Sequence, residues 1–518
     1  MKLDRGVIES VMNRKTLALL AVLCPFVAMA EIKLPALFSD GAVLQRDREL
    51  TIWGWATPQK DVTVVFAGQQ AKAQVLADGT WSVKLAAMPA SAEPRSMQVS
   101  ESEGAPVVVN NLLVGEVWLA SGQSNMEWSV AAASAEDQAK AQAAQLPLIR
   151  MIKVPHGLSH QRQEDFSGNW QQASPEMARN FSAVGYFYAR QLHEALQVPI
   201  GIINSSWGGT RIDPWLAEEG FASVPELGDM AKARAKQLPG TAEYQQAFRE
   251  HLSQLQQWCD VAEKQVAAGQ AAPAAPAAPG LLPLQRDAGM YQAMIHPLRC
   301  YALRGFIWYQ GESNNGEGML YYHKMRVLID GWRKQFAMAE APFYFVQLAP
   351  FSYKKGNLPE IWVAQQWASR LPHTGMAVIN DIGNVNDIHP GNKSEVGRRL
   401  ALWALDRTYG IKQKVVSGPL YRGWRVDGSR IRVSWDHVGS GLVARDGKPL
   451  THFEIAGADG TFHPAIAEID PQGQEIWVSS AAVPAPELVR FAWSETAEPN
   501  LMNREGLPAA AFHCGLIK

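Results

Sequence analysis

Hydrophobic positions change their rhythm along the chain. From residue 31 to about 110 they alternate with polar ones over short spans: 50–55 (L-T-I-W-G-W), 62–66 (V-T-V-V-F) and, after the A-D-G-T turn at 77–80, 81–85 (W-S-V-K-L). Short β-rich runs separated by turns predict a small sandwich-like β module. From residue 112 the runs become continuous and apolar, at 112–120, 148–154, 200–203, 305–309, 343–348 and 376–379. Helical periodicity lies between them, at 183–196, 320–336, 360–368 and 394–405. Apolar strands alternating with helices predict a parallel sheet covered on both faces. Beyond about 415, short β runs return at 430–435, 474–478 and 488–493, punctuated by Gly and Pro, and predict a second β module.

One stretch breaks the alternation. Residues 214–292 are polar and helix-prone and contain A-A-G-Q-A-A-P-A-A-P-A-A-P-G at 267–280, a composition that reads as a linker or exposed loop. It is expected to be an insertion in the α/β domain, placed where it can lie over the site. The organisation expected is a signal peptide at 1–30, an N-terminal β module at 31–110, an α/β domain at 111–410 and a C-terminal β module at 411–518.

The first thirty residues have the parts of an export signal. Asn13-Arg14-Lys15 is basic, 16–27 is apolar but too short to span a bilayer, and Ala28-Met29-Ala30 is a small-x-small cleavage site. A periplasmic or secreted protein beginning at Glu31 is expected, with Met12 an alternative initiator. No later apolar run is long enough to cross a membrane. The net charge of −2 becomes −4 once four basic and two acidic side chains leave with residues 1–30. That balance argues against nucleic acid or an anionic membrane as partner. Eighteen Trp residues favour a carbohydrate ligand slightly. Cys259, Cys300 and Cys514 remain, an odd number allowing at most one disulfide. His156 and His160 sit in a loop-like stretch without metal-site spacing.

The candidate chemistry lies where the apolar runs stop, because sites in parallel sheets form at the carboxyl ends of strands. The first run ends in S-G-Q-S-N-M at 121–126. Gly122 permits a tight turn, and a helix starting near Ser124 aims free N–H groups at anything bound there. The other ends carry N-S-S-W-G-G-T at 204–210, Q-G-E-S-N at 310–314 and N-D-I-G-N-V-N-D-I-H-P at 380–390. Together they supply the parts of acyl transfer: Ser124 as nucleophile, His389 as its base, and Asp387, close in sequence, to orient the imidazole. Backbone N–H groups of Ser124 and of Gly208 or Gly209, with the Gln310 amide, are candidate oxyanion donors. Ser205, Ser206 and Ser313 are expected to shape the site without attacking. Trp207 and Trp308 either pack beneath it or touch sugar. Glu312 either accepts a supporting hydrogen bond or is solvated, and Gln123 adjoins the nucleophile.

S-G-Q-S-N-M at 121–126, S-W-G-G-T at 206–210, W-Y-Q-G-E-S-N at 308–314 and D-I-H-P at 387–390 together resemble the sialate O-acetylesterase family, carbohydrate esterases of the SGNH-hydrolase superfamily. The resemblance spans about residues 112–409. It implies a flavodoxin-like α/β core, removal of O-acetyl groups from sugars, Ser124 as nucleophile, His389 as base and an oxyanion hole from Ser124, Gly208 or Gly209, and Gln310. It implies no metal or organic cofactor. The superfamily's usual acid stands three residues before the histidine, where this chain has Asn386, so Asp387 and Asp381 both remain candidates. Its usual third-block asparagine is Gln310 here. Acetylated sialic acids and acetylated plant cell-wall polysaccharides such as xylan or xyloglucan are the substrates implied. The alternatives are a carbohydrate-binding protein with a degenerate core and a lipid-directed esterase of the same superfamily.

Overall fold

The computed structural model describes residues 32–102, 104–283, 288–354 and 357–516. The expected export signal lies outside them. The strands of the central sheet are β1 (Val107–Gly122), β2 (Leu146–Lys153), β3 (Gln171–Ala173), β4 (Ile200–Ser206), β5 (Gly305–Tyr309), β6 (Phe343–Val346) and β7 (Thr374–Ala377). They lie side by side in the order β7-β6-β5-β1-β4-β2-β3. All neighbours are parallel except β2 and β3. Counted along the chain, the six parallel strands run in the order 2-3-1-4-5-6. The antiparallel β3 adds to that sheet at one edge, so it is mixed rather than purely parallel.

Every residue of β4, β5 and β6 is buried. That explains why their sequences are nearly continuous apolar runs: both faces must be covered. The cover comes from α2 (Ala183–Leu196), α3 (Leu320–Gln335), α4 (Leu358–Ala368) and α5 (Lys393–Trp403); the short α1 (Ser124–Glu127) follows β1 directly. Helices α2 and α5 pack together, as do α3 and α4. The α2/α5 contact is close enough that a Cβ on Gly397 would sit 2.7 Å from the Tyr188 backbone nitrogen.

Strand β1 crosses the module boundary expected at residue 110. Its first half pairs with Ser91–Glu101 of the N-terminal β structure and its second half with β4 and β5. The N-terminal part has Asp61–Phe66 between Gln69–Gln74 and Ser91–Glu101, and a separate antiparallel pair, Leu50–Trp55 with Thr80–Leu85. The C-terminal part has two four-stranded antiparallel sheets, with Trp435, Phe491 and Phe512 in edge contact between them. It reaches the core where the last strand ends: Asn380 Nδ2 donates to the Ala509 carbonyl at 2.8 Å.

The 214–292 region contains the helices Glu218–Phe221, Gly228–Ala235 and Ala242–Ala267, followed by residues 270–283 without regular structure. Part of it packs along α3, and its end meets the loop after β2, where the Ser159 N–H donates to the Gly289 carbonyl at 3.1 Å. A Cβ on Gly220 would meet Val327 at 2.4 Å, and Glu226 accepts from Arg326 at 3.3 Å. Cys259, Cys300 and Cys514 are all free thiols. Among the described residues no helix is long and apolar enough to cross a membrane.

Candidate active site

The end of β1 turns because Gly122 takes φ +138°, and no other residue fits there: a Cβ would lie 2.1 Å from the Tyr309 carbonyl oxygen on β5. The turn delivers Ser124 to the first position of α1. A residue there carries a backbone N–H with no intrahelical acceptor. The Trp207 N–H donates to the Gly122 carbonyl at 3.0 Å and ties the loop after β4 to this turn. From the loop after β7, His389 brings Nε2 to 2.9 Å from Ser124 Oγ.

The two candidate acids stand in different surroundings. Asp381 is held by both guanidinium ends of Arg399, at 2.6 and 2.8 Å, so its carboxylate serves a buried ion pair. Asp387 Oδ1 lies 3.8 Å from His389 Nδ1 and accepts the His389 backbone N–H at 2.9 Å. It is thus beside the imidazole but half-exposed and not in direct hydrogen-bond contact with the ring nitrogen. Trp128 stacks on the imidazole, centroids 4.2 Å apart and planes 17° from parallel. Burial, then the charge of Lys393, lowers the His389 pKa below its ordinary 6.5; Asp387 opposes this. The imidazole is therefore neutral at pH 7 and able to accept a proton.

The expected oxyanion donors do not all face the nucleophile. Gln310 is buried, and its Nε2 already meets Asn314 Oδ1 at 2.8 Å, the Thr210 carbonyl at 3.0 Å and Gln123 Oε1 at 3.2 Å. With two protons shared among three acceptors, that amide braces the loops instead of pointing at a substrate. The Gly208 N–H donates to Glu127 Oε2 at 2.8 Å. Gly208 is nonetheless adjacent, since a Cβ there would be 3.3 Å from Ser124 Cβ. Gly209, at φ +74°, faces open space.

Of the candidate substrate contacts, Trp308 is buried edge-on against Trp215 and Trp332, and so packs beneath the site. Trp207 is half-buried and stacks on His156 at 4.4 Å. Gln123 is buried, its Oε1 accepting from Gln310. Glu312 is buried and accepts from Asn125 Nδ2 at 2.5 Å. Ser205 and Ser206 are buried and donate to the Met294 carbonyl and to Asn204; the Ser313 carbonyl accepts from Arg211.

Several participants were not anticipated. Glu127, on the same helical turn as Ser124, gathers Gly208, Lys153 and His156 around its carboxylate. Burial alone would raise its pKa, but the Gly208 N–H, His156 and Lys153 outweigh it and hold it below the usual value. Trp128 and Lys393 were missed too. The first lies four residues from Ser124, one helical turn on, and the second four from His389, at the start of the helix that follows its loop.

The model of the family described as carbohydrate esterase, sialic acid-specific acetylesterase, matches residues 273–405. The sialate O-acetylesterase of Rattus norvegicus is 30% identical over 418 residues, 73% of this chain and 74% of the rat protein. The chain belongs to the sialate O-acetylesterase family. The human sialate O-acetylesterase is 29% identical over 422 residues, 74% of this chain and 72% of that protein. Among solved structures, a carbohydrate acetylesterase from Xanthomonas citri superposes with a TM-score of 0.78 at 36% identity, covering 93% of this chain and 99% of that one. Membership in the sialate O-acetylesterase family makes this protein a carbohydrate esterase of the serine-hydrolase type.

Proposed function

We propose that the protein removes O-acetyl groups from sugars by serine acyl transfer on an SGNH-type, flavodoxin-like core, with Ser124, His389 and Asp387 as its triad. The observation that carries this reading is the 2.9 Å approach of His389 Nε2 to Ser124 Oγ at the carboxyl ends of the strands. Ser124 attacks the acetyl carbonyl while His389 accepts its proton. Negative charge collects on the carbonyl oxygen, stabilised by the backbone N–H groups of Ser124 and Gly209. Gly208 joins them only if Glu127 releases it. As the bond to the sugar oxygen breaks, His389 gives that oxygen its proton so that it leaves as a hydroxyl, and water frees acetate by the same steps reversed. Asp387, rather than the Arg399-bound Asp381, supports the imidazolium that forms.

We further propose export to the periplasm or medium, on the strength of the basic, apolar and small-x-small segments in residues 1–30. The β structures at 31–110 and 411–518 are proposed to act as modules flanking the catalytic domain at 111–410. The rat and human relatives carry the name sialate O-acetylesterase and the Xanthomonas citri relative that of a carbohydrate acetylesterase, so sialic acids and polysaccharides are both substrate classes to test. The test compares acetate release from a small acetyl ester, O-acetylated sialic acid, acetylated xylan and acetylated xyloglucan, with Ser124→Ala alongside. Release from at least one sugar ester, abolished in the variant with the fold intact, is expected. Release undiminished in the variant would refute the mechanism.

A further inference from the structure

Beneath the Ser124–His389 pair lies a charged side chain that acyl transfer does not use. Lys393 is the first residue of α5 and fully buried. A buried ammonium is costly, and an apolar residue of similar length would occupy the space without that cost. Its Nζ donates to Asn125 Oδ1 at 2.5 Å. The other end of the same amide, Asn125 Nδ2, donates to Glu312 Oε1 at 2.5 Å and to the Ile388 carbonyl at 3.0 Å. Asn125 directly follows Ser124, and Ile388 directly precedes His389. One amide thus joins the neighbours of the hydroxyl and of the imidazole.

An asparagine amide can sit in two orientations, and here its neighbours choose. The protonated lysine offers only donors, while the Glu312 carboxylate and the Ile388 carbonyl offer only acceptors. The Lys393 ammonium therefore fixes Oδ1 on its own side and turns Nδ2 toward the histidine loop. Without it, Oδ1 would be buried with no donor, and the amide would be held toward the histidine loop only by Glu312 and the Ile388 carbonyl.

We propose that Lys393 is a positioning residue of the reaction, which through Asn125 locks the loop carrying His389 onto the helical turn carrying Ser124, with Glu312 as its buried counter-charge. The inference rests on the reading of Ser124 and His389 as nucleophile and base.

The surroundings give the ammonium a second effect. Glu312, Asp387 and Asp137 favour its charge, and the rings of Trp128 and Tyr309 lie 5.6 and 5.4 Å away. Burial outweighs them and brings its pKa down to about 7. While charged, it disfavours a second positive charge on His389. The same group thus aligns the imidazole and keeps it a free base.

The test measures kcat, KM and the pH profile of kcat/KM on a small acetyl ester for Lys393→Met, Lys393→Gln and Ser124→Ala, with thermal unfolding recorded for each. Met removes donor and charge; Gln keeps a donor for Asn125 and removes only the charge. For Lys393→Met, kcat is expected to fall at least about tenfold with KM nearly unchanged, a fraction of what a positioned base contributes. The smaller loss is expected for Lys393→Gln. In both, the acid limb should move to higher pH, because the positive charge beside His389 is gone. A lysine acting only on stability would change the unfolding temperature and leave the acid limb in place. An acid limb at its original pH in the folded variants overturns the proposal, and Lys393→Gln decides alone if Lys393→Met does not fold. Turnover by Ser124→Ala would instead sink the underlying assignment; an inactive Ser124→Ala beside unmoved Lys393 profiles would sink only this inference.

Discussion

His389 and Ser124 are separated by 265 residues in the chain and by 2.9 Å between Nε2 and Oγ. The parallel sheet closes that gap: β1 and β7 run the same way, so the loops leaving their carboxyl ends emerge on one side. The Asn380–Ala509 contact fixes the start of the histidine loop from the C-terminal β structure.

The pH dependence follows from the state of the imidazole. In the proposed mechanism its neutral form is the active one, and burial with Lys393 lowers its pKa below 6.5. Activity should therefore persist as pH falls past 6.5 and decline only below, where His389 becomes protonated. A kcat/KM profile on a small acetyl ester checks this; an acid limb centred above 6.5 would contradict it.

The two aspartates should separate cleanly. Asp387→Asn is expected to lower kcat by about 10- to 1,000-fold, less than for a tightly bonded triad acid, because the carboxylate stands 3.8 Å from Nδ1 and is half-exposed. Asp381→Asn should leave kcat per folded molecule nearly unchanged and reduce stability by up to about 3 kcal/mol, because it strips a buried Arg399 of one partner. Urea unfolding and single-ester kinetics on both variants decide between the roles.

Gly122→Ala tests the turn itself. The new methyl would lie 2.1 Å from the Tyr309 carbonyl, on a backbone at φ +138°. Strain of about 1–3 kcal/mol from the backbone alone is expected, before the clash is relieved. Lower thermal stability together with lost activity should result; a variant with normal melting and turnover would show that the turn tolerates a side chain.

Trp128 supports the imidazole by its flat face. Trp128→Ala should reduce kcat by about two- to tenfold, the range of one aromatic contact of about 0.5–1.5 kcal/mol, while Trp128→Phe retains most of it. Steady-state kinetics at a pH above the acid limb gives the comparison.

What could be read from residues alone was what the backbone dictates. Continuous apolar runs mark buried strands because both sheet faces are covered, and polar blocks just past those runs mark strand ends. That logic led to Ser124 and His389 and to the serines around them. It did not extend to the direction in which a buried amide points. Gln310 has the right chemistry for an oxyanion donor, but Asn314, Thr210 and Gln123 claim its protons, and those partners meet only after three loops converge. The Gly208 N–H is taken by Glu127 for the same reason. Trp308 sits in a strand buried on both faces, so its indole packs against Trp215 and Trp332. The edge strand β3 escaped notice because three residues of antiparallel strand leave almost no periodic signal.

The claim on which the rest depends is that Ser124 is the activated nucleophile, and covalent capture tests it directly. The protein treated with a serine-directed organophosphonate at pH 7 and digested for mass spectrometry should carry one adduct, on Ser124, absent from Ser124→Ala and slowed in His389→Ala. An adduct on Ser205, Ser206 or Ser313, or labelling of Ser124→Ala at the rate of the unaltered protein, would contradict the account.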